Sequence, residues 1–217
     1  MVSARHVLRQ GPVLATLAGT FARSVARRVR GGGTEAPEAP GPVYRATLPA
    51  RDRKLVRDHI RHLGGDPSWY AGTLPAHLYP QWGFPLLART LRDVPWDLMK
   101  ILNAGAMVSM RAPLPDDEPL ELQARLAAVD DDGRRVLLTE RLVTGTRSSP
   151  DALVSEVTAI VPLAKGGSKK DRPRVPEGAR EIDRWRLPAR AGLDFALTTG
   201  DFNPIHWSSA YARMFGF

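Results

Sequence analysis

Between residues 79 and 162 the chain presents one strongly apolar helical stretch followed by four strand-like stretches, an order that few folds accommodate. Tyr79, Trp82, Phe84, Leu86, Leu87 and Leu91 make residues 79–92 too apolar for a surface helix, so something must cover it. The four stretches fall near 101–111, 120–130, 134–144 and 151–162. Asp130-Asp131-Asp132-Gly133 is a good hairpin turn between two of them, and Gly145 through Pro150 is another. A short strand fits Val43–Leu48, and residues 52–63 place Leu55, Val56, His59, Ile60 and Leu63 on one helical face. One strand, a buried helix and four antiparallel strands predict an α+β domain whose sheet wraps around the helix.

Charge narrows the function classes once its position is known. The formal net charge is +8, from 31 Lys and Arg against 23 Asp and Glu. Residues 1–30 contribute Arg5, Arg9, Arg23, Arg27, Arg28 and Arg30 and no acid, while 165–174 add Lys165, Lys169, Lys170, Arg172 and Arg174 against Asp171. The remainder is slightly acidic. With its excess of positive charge confined to a leader and a linker, and no base-stacking motif, the chain is not expected to bind nucleic acid. The absence of cysteine removes disulfides, thiolate nucleophiles and Cys-based zinc sites. His59 and His62 have a metal-compatible spacing, but no third ligand is near, and His59 lies on the apolar stripe of its helix. It is expected to be a packed core histidine, and no metal is expected. The acids Asp116, Asp117 and Glu118 sit among Pro113, Pro115 and Pro119 and read as a solvated turn.

Composition divides the chain into four parts. Residues 1–42 are a basic leader and a Gly/Pro linker, 43–163 hold the predicted sheet domain, 164–181 are a basic linker, and 182–217 begin a new pattern. In the leader, Leu14, Leu17, Phe21, Val25 and Val29 form one helical stripe with Arg23, Arg27 and Arg30 off it. Such a helix can pack on the body, lie on an anionic membrane surface or serve as an organellar transit peptide. The expected location is cytoplasmic, with an organellar or peripheral-membrane location as the alternative that the leader raises. No apolar run is long enough to span a bilayer.

The new pattern echoes the earlier one. Leu187-Pro188-Ala189-Arg190 repeats Leu48-Pro49-Ala50-Arg51 at an offset of 139 residues, and Gly200-Asp201 repeats Gly65-Asp66 at an offset of 135. The shared order points to an internal duplication. Within the second copy stands Thr199-Gly200-Asp201-Phe202-Asn203-Pro204-Ile205-His206-Trp207. A D-x-N-P-x-H string arises by chance in roughly one chain of this length in a thousand. Gly200 allows a tight turn before Asp201, and Asn203-Pro204 suits the first turn of a helix. A carboxylate of pKa ~3.9 beside an imidazole of pKa ~6.5 can bind one water and pass its proton. The same string also fits a capped turn followed by a packed histidine, and the residues alone leave both readings open.

The stretch Phe195–His206, continuing through Tyr211-Ala212-Arg213-Met214-Phe215-Gly216-Phe217, resembles the MaoC-like, (R)-specific enoyl-CoA hydratase and acyl dehydratase family. The resemblance implies a hot-dog fold, in which an antiparallel sheet wraps a central helix. It also implies the double form: a degenerate N-terminal unit over 43–163 and a catalytic C-terminal unit beginning at 182. In the first copy Asp66 is followed by Pro67, Ser68 and Trp69, with Tyr70 where a histidine is needed, so that copy is expected to be catalytically empty.

By the same resemblance Asp201 and His206 are the catalytic pair, and Gly200, Asn203 and Pro204 support the active-site turn. The implied reaction is hydration of a trans-2-enoyl-CoA to a (3R)-hydroxyacyl-CoA, or the reverse dehydration, in fatty acyl metabolism. The implied substrate is an acyl-CoA or acyl-carrier-protein thioester; the implied assembly is a homodimer or an internal hot-dog pair; no cofactor is implied. In the family the motif is followed by a His-Gly segment, which supplies the oxyanion donor, then by the central helix and further strands. The sequence stops at Phe217, so the expectation is one full unit plus the start of a second, with little turnover by these 217 residues alone. The alternative is a non-catalytic acyl-CoA-binding or assembly subunit. A hot-dog thioesterase fits less well, because no other carboxylate nucleophile stands out.

Overall fold

The computed structural model describes residues 2–30, 36–98, 101–163, 176 and 178–214, with the side chains at 17, 21, 23–30 and 214 outside the description. The basic residues expected at 165–174 therefore lie outside the described residues. Five strands form one antiparallel sheet: β1 (Tyr44–Leu48), β2 (Leu102–Met110), β3 (Leu120–Asp131), β4 (Arg135–Gly145) and β5 (Leu153–Pro162). Their order across the sheet is β1-β3-β4-β5-β2. Helices α1 (Gly11–Arg30), α2 (Arg53–His62), α3 (Pro80–Thr90), α4 (Ala191–Thr199) and α5 (Ser209–Met214) complete the regular structure, with short 3-10 turns between them. The expected strands and helices are present, with their ends within about two residues of those read from the sequence.

Alternation sets the register. Leu120, Leu122, Ala124 and Leu126 of β3 and Val136, Leu138 and Leu142 of β4 point inward and are buried. They pack against Trp82, Leu86 and Leu87 of α3 and Leu55, Val56 and Ile60 of α2, with a second cluster of Leu91, Val94, Leu126, Val136, Leu138, Ala159 and Val161. The helix lies very close to the sheet. A Cβ on Gly83 would stand 2.3 Å from the Leu142 side chain, so α3 needs glycine where it meets β4. Trp82 completes the fit by donating its indole N–H to Thr144 at 3.2 Å. The hairpin read at Asp130–Gly133 is closed by side-chain caps: Asp131 accepts from the Gly133 N–H and Asp132 from those of Arg134 and Arg135.

Strand β2 departs from its apolar composition. Every residue from Leu102 to Met110 is exposed, because β2 is an edge strand and none of the described elements covers either of its faces. The coil at 181–188 is similarly bare, with Ile182, Trp185 and Leu187 all exposed.

On the helical side of the sheet, α4 packs against α2 and α3. The N-terminal segment joins this layer: Ala4–Arg9 forms a 3-10 turn against α4, and α1 runs along α3. Val2, His6, Gln10 and Val13 are buried there. The expected hydrophobic stripe of α1 mostly falls on undescribed side chains. For residues 2–13, the face that is used is a different one, half polar and packed on the body. No helix among the described residues is long and apolar enough to cross a membrane.

Candidate functional site

Asp201 and His206 are brought together by the way α4 ends. Arg190 and Asp194, one turn apart, pair at 2.8 Å across its first turns. At the other end Gly200 adopts φ +83° and its N–H bonds to the Ala196 carbonyl at 2.8 Å, which closes the helix with a left-handed residue. Asp201 follows at once, its N–H directed to the Thr199 hydroxyl at 3.3 Å. Its Oδ1 accepts from the Asn203 N–H at 3.2 Å, and Asn203 Oδ1 accepts from the Ile205 N–H at 3.2 Å. Two successive side-chain caps thus fold the backbone into a 3-10 turn, Pro204–His206, with Pro204 at a position where its missing N–H costs nothing.

The product of this turn is a pair. Asp201 Oδ2 lies 3.4 Å from His206 Nε2, and the two side chains keep 34% and 47% of their exposure. A carboxylate and an imidazole so placed, with free edges facing solvent, can share one water molecule and exchange its proton. In this turn Gly200 closes α4, Asn203 caps the 3-10 turn and Pro204 opens it. Among the described residues no cluster of three metal-ligating side chains occurs. An open cavity of about 300 Å³ lies between α1 and α3, lined in part by Gly19, Pro85, Arg89 and Arg92, and the pair does not line it.

By sequence, neither a family model nor a curated protein matches the chain. Solved structures do. HtdX of Mycobacterium tuberculosis superposes with a TM-score of 0.63 at 17% identity over 81% of this chain and 68% of its own. A MaoC-like dehydratase gives 0.60 at 14% identity over 80% and 70%. The MaoC-like dehydratase of Phytophthora capsici gives 0.57 at 15% identity over 81% and 68%. The chain has the MaoC-like hot-dog fold.

Within this hot-dog fold α3 is the helix that the sheet wraps, and the Asp201 turn follows the helix packed beside α2. His59 is the core histidine expected of it. It is fully buried, its Nδ1 lies 3.0 Å from the Thr198 hydroxyl, and its ring stacks on His77. Burial, aided by the neighbouring His77 and His62, pushes its pKa down to about 3, so it stays neutral. The stretch after α2 has a similar local geometry, in a register other than the one residue identity gives. The left-handed residue that matches Gly200 is Gly64, at φ +82°, and the capped Asx-Pro turn that matches Asn203-Pro204 is Asp66-Pro67. Sequence identity paired Asp66 with Asp201 because the residue types coincide. Conformation pairs it with Asn203, which leaves no carboxylate in the turn after α2 at the place of Asp201.

Two residues of the site escaped the sequence reading. Gly192 is one: a Cβ there would lie 1.9 Å from the His206 carbonyl oxygen, so the motif turn folds back directly onto the start of α4. A glycine inside a nine-residue helix, unfavourable by about 1 kcal/mol against alanine, was the available signal. Gln10 is the other, and nothing in its surroundings marked it.

Proposed function

We propose that the protein is a hydratase or dehydratase of the MaoC-like family, acting on enoyl or 3-hydroxyacyl thioesters of CoA or a carrier protein through Asp201 and His206. The observation that carries this reading is the Asp201–His206 pair, 3.4 Å apart on a doubly capped turn in a chain with the fold of MaoC-like dehydratases. In the hydration direction the pair holds a water molecule. Its oxygen adds to C3 of the trans-2-enoyl thioester, one proton leaves it for the pair, and a proton is delivered to C2. Dehydration reverses each transfer. Atoms balance without a redox partner, and the product expected by resemblance is the (3R)-hydroxyacyl thioester.

The test is a spectrophotometric hydration assay with crotonyl-CoA and a medium-chain enoyl-CoA, using protein expressed from its full coding sequence. Asp201→Asn and His206→Ala should each lower kcat by about 100-fold or more, the scale of a lost general acid–base group, with melting temperature unchanged. Full activity in either variant would reject the assignment.

A second reading, a non-catalytic acyl-thioester-binding subunit, draws on the openness of the pair, which retains a third to a half of its exposure. Tight binding of an acyl-CoA without turnover would select it. We also propose that residues 182–217 open a second hot-dog unit. At the 139-residue offset, 183–187 correspond to β1, and the exposed Trp185 and Leu187 correspond to inward positions Ala46 and Leu48. The bare edge strand β2 is the natural place for a second sheet, from a partner copy or a second unit, to pair.

A further inference from the structure

We infer that the N-terminal segment is a positioning element for the Asp201 turn and that Gln10 is the residue through which it acts. Gln10 is fully buried, and its Nε2 donates to the carbonyls of Leu197 at 3.1 Å and Thr198 at 3.3 Å. These are among the last four carbonyls of α4, which no residue of that helix can satisfy. The Ala196 carbonyl is taken by Gly200, so Gln10 supplies partners for the two that follow.

The contact continues to the site. A Cβ on Gly200 would stand 2.9 Å from Gln10 Oε1 and 3.0 Å from Val13, so the segment presses on the residue immediately before Asp201. Two contacts fasten the segment to α2: a hydrogen bond between His6 Nε2 and Asp58 Oδ2 at 2.8 Å and an ion pair of Arg9 with Asp52 at 2.5 Å.

Gln10 is also oriented by what stands behind it. Arg51 Nη1 donates to Gln81 Oε1 at 3.3 Å, and Gln81 Nε2 donates to Gln10 Oε1 at 3.5 Å. An arginine can only donate and a carbonyl can only accept, so the chain of amides between them has a single polarity. Arg51 turns the oxygen of Gln81 toward itself, which turns the amide nitrogen of Gln10 onto α4. The arginine of the first Leu-Pro-Ala-Arg copy thereby sets the end of the helix that carries the second copy's motif. A leader whose only role was addressing or membrane contact would have no use for this relay.

The inference rests on the hydratase reading for its functional meaning, so the experiment separates the two. Gln10→Met keeps length and bulk and removes the donor, and Gln10→Glu replaces the donor with an acceptor facing two carbonyls. Three quantities are measured on protein from the full coding sequence: amide exchange at Gly200 and Asp201 against exchange in β3 and β4, the NMR titration of the His206 ring, and crotonyl-CoA kinetics. Loss of the donor should speed exchange at Gly200 and Asp201 by about tenfold while the sheet is unchanged, and should displace the His206 titration. In the kinetics, kcat should fall by about tenfold with KM held within about twofold. Unaltered exchange and titration in Gln10→Met would overturn the inference. So would a uniform speeding across the sheet, which would make Gln10 a general stabiliser. If the parent protein shows no turnover while the exchange and titration respond as stated, the hydratase reading fails and the positioning role stands.

Discussion

Glu140 offers the sharpest test of the core. It sits on β4 between Leu138 and Leu142, faces α3 with them, and is buried. Thr90 Oγ1 lies 2.6 Å from Glu140 Oε1 and 2.8 Å from the Leu87 carbonyl oxygen. One hydroxyl hydrogen cannot serve both oxygens. The arrangement is satisfied when Thr90 donates to the carbonyl and a protonated Glu140 donates to Thr90. Burial favours the same state, pushing the carboxyl from 4.5 up to about 8, against a smaller opposing effect of the Thr90 hydroxyl contact.

The sign of the linkage follows. The folded protein holds a proton that the unfolded chain releases above pH 4.5, so this group's contribution is complete below 4.5 and is lost as pH rises to about 8. The loss is about 1.4 kcal/mol per pH unit, or roughly 5 kcal/mol over the window. Glu140→Gln preserves a donor for Thr90 and removes the titration. Denaturant unfolding of both proteins at pH 5 and pH 8 should show the variant gaining about 3–4 kcal/mol on the parent between the two conditions. Stability curves that run parallel in pH would show that Glu140 is ionised in the fold and that the proton count at Thr90 is wrong.

Two further perturbations address the helical layer. His59 is neutral in the fold because its pKa is lowered from 6.5 to about 3, so its contribution is whole above 6.5 and is lost as pH falls toward 3. His59→Gln should reduce the stability lost between pH 6.5 and pH 4 by about 3 kcal/mol in the same unfolding assay, and an unchanged acid limb would contradict the neutral assignment. Gly192→Ala places a methyl 1.9 Å from the His206 carbonyl oxygen, a backbone atom of the motif turn. A cost of about 1–3 kcal/mol is expected, with hydratase activity reduced and β-sheet amide exchange unaltered. A variant as active and as stable as the parent would mean that the turn does not rest on α4.

The parts legible in the sequence were those written in a local code. Strands β3 and β4 declare themselves by alternation, the turn between them by three acids and a glycine, and α3 by an apolar surface that only burial can accommodate. The Asp201–His206 pair was legible because its geometry is local as well, built from caps two residues apart. Residues 2–13 show where that code fails. Their buried face is Val2, His6, Gln10 and Val13, and half of it is polar, so hydropathy alone did not mark it. Gln10 finds its partners 187 and 188 residues away, and no window along the chain contains both ends. The exposure of β2 was hidden for the converse reason, since its apolar residues announce burial that none of the described elements provides.

The contact between His59 and Thr198 ties these observations to the proposed duplication. The two residues are 139 apart, the same offset that separates the two Leu-Pro-Ala-Arg sequences. When two copies pack about a two-fold axis, positions near the axis meet their own counterparts, so a contact at the repeat offset is what such packing requires. The support is independent of residue similarity, for a histidine and a threonine have none. It also explains why His59 is buried deeply enough to lose its charge: it lies where α2 and α4 meet. The symmetry is broken at the helix ends. Those of α2 are closed by its own backbone, through Leu63, Gly64 and Gly65, whereas α4 is closed partly by Gln10 from the N-terminal segment. The brace falls on the helix that leads to the carboxylate and the imidazole, and α2 does without it.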